Sequence, residues 1–184
     1  MGRTYDTLDD GLSAFLRAQR MFFVATAPSS GGHVNVSPKG LDTFAVLDPH
    51  TVAYLDLTGS GIETVAHLRE NGRITILFCA FEGPPRLVRL YGTGTVASIG
   101  TPEFATLSAR FPSYPNARTV VTVALERIAD SCGYGVPRYR YDGERSQLLD
   151  WADRKGPDGI VEYRAERNAE SIDGLPGLPR RQSR

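Results

Sequence analysis

The chain has 184 residues and a mass of 20.1 kDa, which suits one domain with a buried core. Its 21 basic and 21 acidic side chains balance, so no overall field attracts nucleic acid or an anionic membrane. Two cysteines and three histidines exclude a disulfide framework and the common zinc patterns, and we expect no metal site. Without a spanning apolar run or a signal peptide, a cytoplasmic protein that does not contact membranes is expected.

The first part of the chain predicts one helix followed by short strands. Residues 7–19 place apolar side chains at helical spacing, and Thr7 with Asp10 resembles a capping box. Short runs of aromatic and β-branched residues then alternate with turns rich in proline and glycine. The strands predicted here are residues 21–27, 33–37 and 51–57. Residues 38–40, Pro-Lys-Gly, are expected to break the second strand.

The middle of the chain predicts a helix between two long strands. The helix covers residues 62–71, with a capping box from Ser60 to Glu63 and a stop at Asn71-Gly72. The strand over residues 73–81 is almost entirely apolar and should be buried on both faces. The next strand, residues 86–98, contains alternating glycine and threonine, which predicts a bend or bulge.

The last part of the chain changes from strand to charged helix. A helix over residues 101–111 begins with proline at its first position, and residues 119–128 form the last strong strand. Two charged helices are predicted over residues 145–154 and 157–170. The tail, residues 174–184, is rich in proline, glycine and arginine and is expected to be frayed or wrapped over a partner.

These elements favour a mainly β fold. About six strands are predicted, and most are joined by short turns, whereas a doubly wound α/β sheet needs a helix between nearly every pair. The prediction is therefore an antiparallel β-barrel with appended helices.

The segment from Leu57 to Thr64 is the most informative candidate site. A strand ends there, a glycine-rich turn follows, and a helix begins with the hydroxyl residues Ser60 and Thr64 close by. Unpaired N–H groups at a helix start attract phosphate. The alternative is that Ser60 only caps the helix and the glycines only form the turn.

Other candidates each have a structural alternative. Lys39 leaves a strand and either points into a cleft or is a solvated turn residue. Arg89 either faces inward, where it requires an anion, or faces solvent. Tyr134 either stacks on a flat ligand or belongs to a turn, and Trp151 covers a partner or the edge of the core. No catalytic triad or carboxylate pair stands out, so the catalytic residues are unknown and any chemistry is expected from a cofactor.

The order of several segments resembles the pyridoxamine 5′-phosphate oxidase-like family of FMN-binding split barrels. The segments that carry this resemblance are VNVSPKG (34–40), TVAYLDLTGSGIETVAHLRENGRITILFCAF (51–81) and RLVRLYGTG (86–94). In addition, CGYGVP (132–137) and NAESIDGLPGL (168–178) resemble a bacterial subgroup of flavin proteins. The likeness covers residues 10–178.

The resemblance implies a six-stranded antiparallel split barrel of the FMN-binding type. It implies a homodimer with FMN between the subunits, in which residues 1–143 form the flavin domain and residues 144–184 a helical extension packed on it. The cofactor-binding residues that follow from it, including our inference for Arg89, are Asn35, Ser37, Lys39, Asp56, Thr58, Ser60, Thr64 and Arg89. The function implied is a flavin-dependent oxidoreductase acting on a small molecule.

Two departures from the family pattern keep alternatives open. Gly61 and Ile62 follow Ser60 where the true oxidases place an Arg-Lys pair, and Leu87 replaces an expected glutamine. Vitamin B6 oxidation is therefore not expected, and a deazaflavin is the alternative cofactor. The alternative functions are a non-catalytic barrel that binds or senses flavin, deazaflavin or heme, and a barrel that has lost its cofactor.

Overall fold

The computed structural model describes residues 2–179. Its strands are β1 (Thr4–Tyr5), β2 (Phe22–Thr26), β3 (Asn35–Lys39), β4 (Phe44–Asp48), β5 (Thr51–Leu57), β6 (Arg73–Cys79), β7 (Leu87–Ser98) and β8 (Ala117–Ser131). Its helices are α1 (Asp10–Ala18), α2 (Glu63–Asn71), α3 (Pro102–Ser108) and α4 (Gln147–Arg167). None of the helices within residues 2–179 is long and apolar enough to cross a membrane.

The strands form one antiparallel sheet that curls into a split barrel. Its order is β3-β2-β6-β7-β8-β5-β4, with β1 added to β8. The longest pair, β7 with β8, shifts register between Tyr91 and Gly92, which confirms the bend predicted there. Within the described residues the end strands β3 and β4 do not pair with each other, so the barrel is open along that side. The mainly β, split-barrel prediction is confirmed.

The main core lies inside the curled sheet. Phe22, Phe44 and Phe78 pack together there, with ring centroids 4.8 to 5.4 Å apart. Leu12 and Leu16 of α1 are buried against this cluster, as the helical spacing of the sequence predicts. A second cluster under α3 covers the other face of β5 and β8, so both faces of these strands are buried.

The edge strands were the least well predicted. Pro38 and Lys39 belong to β3 and do not break it, because an edge strand tolerates a proline that donates no ladder hydrogen bond. Strand β4 was not predicted from the sequence. Four of its five residues are half-buried, and they lack the alternation of buried and exposed positions that marks a strand.

Two predicted helix caps are wrong, whereas the predicted helix stop is correct. Helix α1 is capped by Asp9, whose side chain accepts a hydrogen bond from the Leu12 amide, and not by Thr7. Helix α2 begins after Ile62 without any side-chain cap, so Ser60 does not form the predicted capping box. Gly72 ends α2 with a φ of 72°, in the left-handed region that glycine favours.

The C-terminal part contains one kinked helix and a folded segment. Gly156 breaks the helical geometry of α4 with a φ of 67°, close to where the sequence predicts two separate helices. Trp151 and Tyr163 pack across this kink at 4.9 Å. Leu178 is buried against Ile62 and Val65, so the tail up to residue 179 packs on its own chain and is not frayed. Residues 180–184 lie outside the described residues.

Candidate functional site

A large cavity lies at the open side of the barrel, where β3, the end of β5 and the start of α2 meet. Its volume is about 1030 Å³, which is at the upper end of the range for small-molecule sites. The segments that line it are residues 18–21, 37–41, 57–59, 81–83 and 139–145, with further contributions from Thr43, Leu55, Gly61, Glu63, Thr64, Arg118 and Leu148.

Four of the eight sequence-predicted cofactor residues line this cavity. Those that line it are Ser37, Lys39, Thr58 and Thr64. Asn35 lies just behind them and donates a hydrogen bond to the Thr64 hydroxyl at 3.0 Å. That contact leaves the Thr64 hydroxyl proton without an acceptor among residues 2–179, so it is available to a ligand.

Two predicted residues lie apart from the cavity lining. Gly59 and Gly61 line the cavity, but Ser60 between them is exposed and does not. Arg89 lies on the face of β7 opposite the buried Val88 and Leu90, where its guanidinium bonds Ser131 at 3.2 Å. A cofactor contact by either side chain stays a prediction.

Lys39 and Asp56, predicted as separate ligand contacts, pair with each other. The Lys39 ammonium lies 2.6 Å from one Asp56 oxygen, and the Arg118 Nε donates to the other oxygen at 2.6 Å. Asp56 is only 2 % exposed, and burial alone would raise its pKa. The charges and hydrogen bonds of Arg118 and Lys39 outweigh burial and lower the pKa of Asp56 to about 2. The carboxylate is therefore ionised throughout the physiological range.

Arg118 also lines the cavity and was not predicted as a site residue from the sequence. It is the extra residue of a β-bulge, because Asp56 pairs with Thr119 while Leu57 pairs with Ala117. A bulge changes the direction of a side chain relative to its strand, and here the guanidinium reaches Asp56. The only sequence signal was an arginine at the start of an otherwise apolar strand.

Two residues of the C-terminal part, Arg164 and Asn168, add to the charged cluster that Lys39, Asp56 and Arg118 form under the cavity. Arg164 of α4 donates to the Thr58 hydroxyl and to the Ala117 carbonyl, each at 2.8 Å. Burial and the neighbouring Arg118 charge lower the pKa of Arg164. Asn168 bonds both Arg118 and the Gly59 carbonyl. Lys39 and Arg118 bind the one carboxylate and Arg164 lies near Arg118, which leaves an excess of positive charge beneath the cavity.

The Thr58 hydroxyl is fully engaged within the protein. It donates its single proton to the Asn116 carbonyl at 2.8 Å while accepting from Arg164. Thr58 therefore has no proton for a ligand in this arrangement, although its atoms line the cavity.

Glu63 places a negative charge at the start of α2. Its carboxylate folds back beside the Gly59–Gly61 turn so closely that a methyl group on Gly61 would overlap it. One carboxylate oxygen also accepts a hydrogen bond from the Ile172 amide at 3.3 Å. A carboxylate near a helix N-terminus is stabilised by the helix dipole, so Glu63 competes with any anionic ligand there.

Aromatic side chains surround the cavity mouth. Tyr139 packs on Phe81 at 5.5 Å, and the Arg20 guanidinium lies 5.1 Å from the Tyr141 ring. Tyr134, the predicted stacking residue, is exposed and does not line the cavity. Within residues 2–179 there is no group of histidine, cysteine or carboxylate side chains suited to a metal ion.

The comparison with known proteins gives matches over most of the chain. Residues 8–132 match the family model described as pyridoxamine 5′-phosphate oxidase. The chain is 42 % identical over 193 aligned positions to the pyridoxamine 5′-phosphate oxidase family protein ustO of Aspergillus flavus, covering 95 % of this chain and 77 % of that protein.

Solved structures share the fold at lower identity. A candidate pyridoxamine 5′-phosphate oxidase of Lactobacillus delbrueckii aligns with a TM-score of 0.54 at 21 % identity, over 67 % of this chain and 94 % of that chain. HupZ of Group A Streptococcus aligns with a TM-score of 0.51 at 22 % identity, over 66 % of this chain and 91 % of that one. On the family match and the identity to the fungal protein, this chain belongs to the pyridoxamine 5′-phosphate oxidase family.

Proposed function

We propose that this protein binds FMN in the cavity and acts as a flavin-dependent oxidoreductase on a small molecule. The observation that carries the proposal is the cavity of about 1030 Å³ above the buried Lys39–Asp56–Arg118 cluster. Membership of the family supports a flavin as the ligand. When bound, the flavin supplies the electron transfer, and the protein supplies its binding, orientation and electrostatic environment.

The residues present fit a flavin nucleotide. The cavity has room for the cofactor and a small substrate, and the excess positive charge beneath it favours a ligand with a phosphate. Lys39 of β3 and the Thr64 hydroxyl of α2 offer donors from two elements, and Ser37 lines the cavity two residues before Lys39 on β3. The Gly59–Gly61 turn permits close approach of the backbone to the ligand.

The remaining predicted residues have different roles in this proposal. Asp56 holds Lys39 and makes no cofactor contact of its own, since both of its oxygens are engaged by cations. Ser60 is proposed to contribute through its backbone amide, because it lies between Gly59 and Gly61, which both line the cavity. Arg89 reaches the cofactor only if that cofactor is shared with a second subunit.

FMN binding can be measured directly. We expect added FMN to bind with quenched fluorescence and, at about 100 times its dissociation constant, to stabilise the fold by about 2.7 kcal/mol. A protein that neither quenches FMN fluorescence nor gains stability from FMN or from a deazaflavin would contradict the proposal.

Turnover separates an oxidoreductase from a barrel that only binds the flavin. The bound FMN should be reduced by NADPH or a reduced deazaflavin and reoxidised by an added acceptor over many cycles. Tight binding without such cycling would support the binding role and contradict the oxidoreductase role.

We also propose that two copies of the chain form a homodimer that completes the cavity. Val34 and Val36 at β3, the open edge of the sheet, are 72 % and 60 % exposed, and Ile172 is 72 % exposed. The hydrogen bond between the His33 ring and the Asp173 carboxylate, at 2.7 Å, holds the segments carrying these side chains together. Exposed apolar side chains beside an open sheet edge are typical of an interface.

Val36→Glu tests this dimer, because it places a charge in the proposed interface. Light scattering should give a dimer for the wild-type protein and a monomer for Val36→Glu. The control is Ile99→Glu, which changes an exposed apolar residue in the turn after β7 and should leave the dimer intact. A wild-type monomer, or a Val36→Glu dimer, would contradict the proposal.

A further inference from the structure

The C-terminal segment, residues 168–178, folds into a closed loop that we call the clasp. Its two ends are joined by the Leu178 amide bonding the Asn168 carbonyl at 2.7 Å and the Gly177 amide bonding the Ala169 carbonyl at 2.8 Å. Gly174 turns the loop with a φ of 76°. These contacts explain why the segment NAESIDGLPGL (168–178) contains glycines and ends in an apolar residue.

The clasp is attached to the barrel at α2 and at the loop before β3. Leu178 is buried beside Ile62 at the start of α2, and Arg69 of α2 donates to the Gly177 carbonyl. Asp173 pairs with His33 in the loop that leads into β3. The clasp thus contacts the elements that carry Thr64 and Lys39, although it lies outside the matched residues 8–132.

Asn168 is the clasp residue that reaches the charged cluster. Its side chain is fully buried, its oxygen accepts from Arg118 at 2.9 Å, and its amide nitrogen donates to the Gly59 carbonyl at 2.9 Å. The amide satisfies both partners at once, because the guanidinium needs an acceptor and the carbonyl needs a donor. Asn168 therefore joins the bulge of β8 to the turn before α2.

We propose that Asn168 is a positioning residue for Lys39. Its side chain holds Arg118, Arg118 holds Asp56 at 2.6 Å, and Asp56 holds the Lys39 ammonium at 2.6 Å. The first two of these bonds are buried, and loss of the Asn168 oxygen leaves the Arg118 Nη1 with only its 3.3 Å bond to the Gly59 carbonyl, so the guanidinium is held less firmly. This proposal rests on the proposed flavin function and assigns a role in it to the C-terminal segment.

The test compares Asn168→Ala with Lys39→Met, singly and together. We expect Asn168→Ala to weaken FMN affinity about fivefold, equivalent to about 1 kcal/mol, in the otherwise wild-type protein. In the Lys39→Met background the same change should have no further effect, because a residue that acts through Lys39 is not additive with its removal. Full additivity of the two losses would overturn the proposal.

Asn71→Ala is the matched control for a structural effect. Asn71 also bridges two segments, bonding the Ala27 carbonyl at 3.0 Å and the Arg73 amide at 2.9 Å, but it does not line the cavity. We expect it to lower the free energy of unfolding without changing FMN affinity. An equal loss of affinity in Asn71→Ala and Asn168→Ala would assign Asn168 to general stability and overturn the proposal.

A second variant keeps the test decisive if Asn168→Ala does not fold. Asn168→Asp preserves the size of the side chain but cannot donate to Gly59, and its carboxylate competes with Asp56 for Arg118. It should also weaken FMN binding, whereas unchanged affinity would overturn the proposal. A wild-type protein that binds no flavin would overturn both the proposed function and this proposal. A wild-type protein that binds flavin with an affinity that Asn168→Asp does not change would overturn this proposal alone.

Discussion

The Lys39 ammonium and the Asp56 carboxylate lie 2.6 Å apart at the edge of the cavity, and Arg118 bonds the same carboxylate from the buried side. The carboxylate thus neutralises only one of the two cations that it binds. Lys39 is held in one position by this arrangement while its other ammonium protons remain available to a ligand.

Removing the Asp56 charge should destabilise the protein strongly. Asp56→Asn leaves Lys39 and Arg118 facing an amide, and breaking a buried pair in this way typically costs about 3 kcal/mol or more. Urea denaturation measures the loss. Asp153→Asn, on the exposed surface of α4, is the control and should change the free energy of unfolding by less than about 0.5 kcal/mol. A similarly small effect of Asp56→Asn would contradict the importance of the cluster.

The Asp56 carboxylate should make the free energy of unfolding depend on pH in the acid range. Its pKa falls from 3.8 in the unfolded chain to about 2 in the fold, so its stabilisation is complete above the unfolded value. The contribution, about 2 kcal/mol, is lost as the pH falls from about 5 towards 2. Denaturation curves across this range should therefore show a steeper loss of stability for the wild-type protein than for Asp56→Asn. Parallel curves for the two proteins would contradict the assignment.

The two lysines of the chain provide a matched pair for testing cofactor binding. Lys39→Met should weaken FMN affinity about five- to tenfold, because it removes a cation from the cavity wall. Lys155→Met removes a lysine that packs on Trp151 at 5.7 Å, away from the cavity lining, and should leave the affinity unchanged. Fluorescence titration measures both. Equal affinities for wild type and Lys39→Met would count against a cofactor contact by Lys39.

Glu63 should oppose the phosphate of the cofactor. Its carboxylate lies beside the turn where the resemblance to the family predicts that phosphate, and like charges repel. Glu63→Gln should therefore strengthen FMN binding several-fold while leaving the affinity for riboflavin, which has no phosphate, nearly unchanged. An equal change for both ligands would mean that Glu63 acts on the shape of the turn and not on charge.

Sequence reasoning succeeded where the signal is local. The strand over 51–57 and the stop of α2 at Gly72 follow from residue pattern and from the conformational freedom of glycine. It failed where tertiary context overrides a local rule. Pro38 is accepted in β3 because that strand is an edge, and Ser60 lies outside the helix that its spacing with Glu63 predicts it to cap.

The candidate site was predicted only in part, because some of its residues have a local sequence signal and others do not. Lys39, Thr58 and Thr64 lie near turn and strand ends, which are recognisable in the sequence. Arg118 and Asn168 were missed because their contacts join residues 50 to 109 positions apart. Pairing of that kind depends on the register of β5 with β8 and on the path of the C-terminal segment, neither of which a local pattern encodes.

The contact between Asn168 and Arg118 also bears on where the protein can be shortened. A fragment that ends at Cys132, the last residue matched by the family model, would retain all eight described strands. It would lack both Arg164 and Asn168, so Thr58, Gly59 and Arg118 would each lose a hydrogen-bond partner. Family boundaries drawn from sequence alone would therefore yield a barrel whose ligand chemistry differs from that of the whole chain.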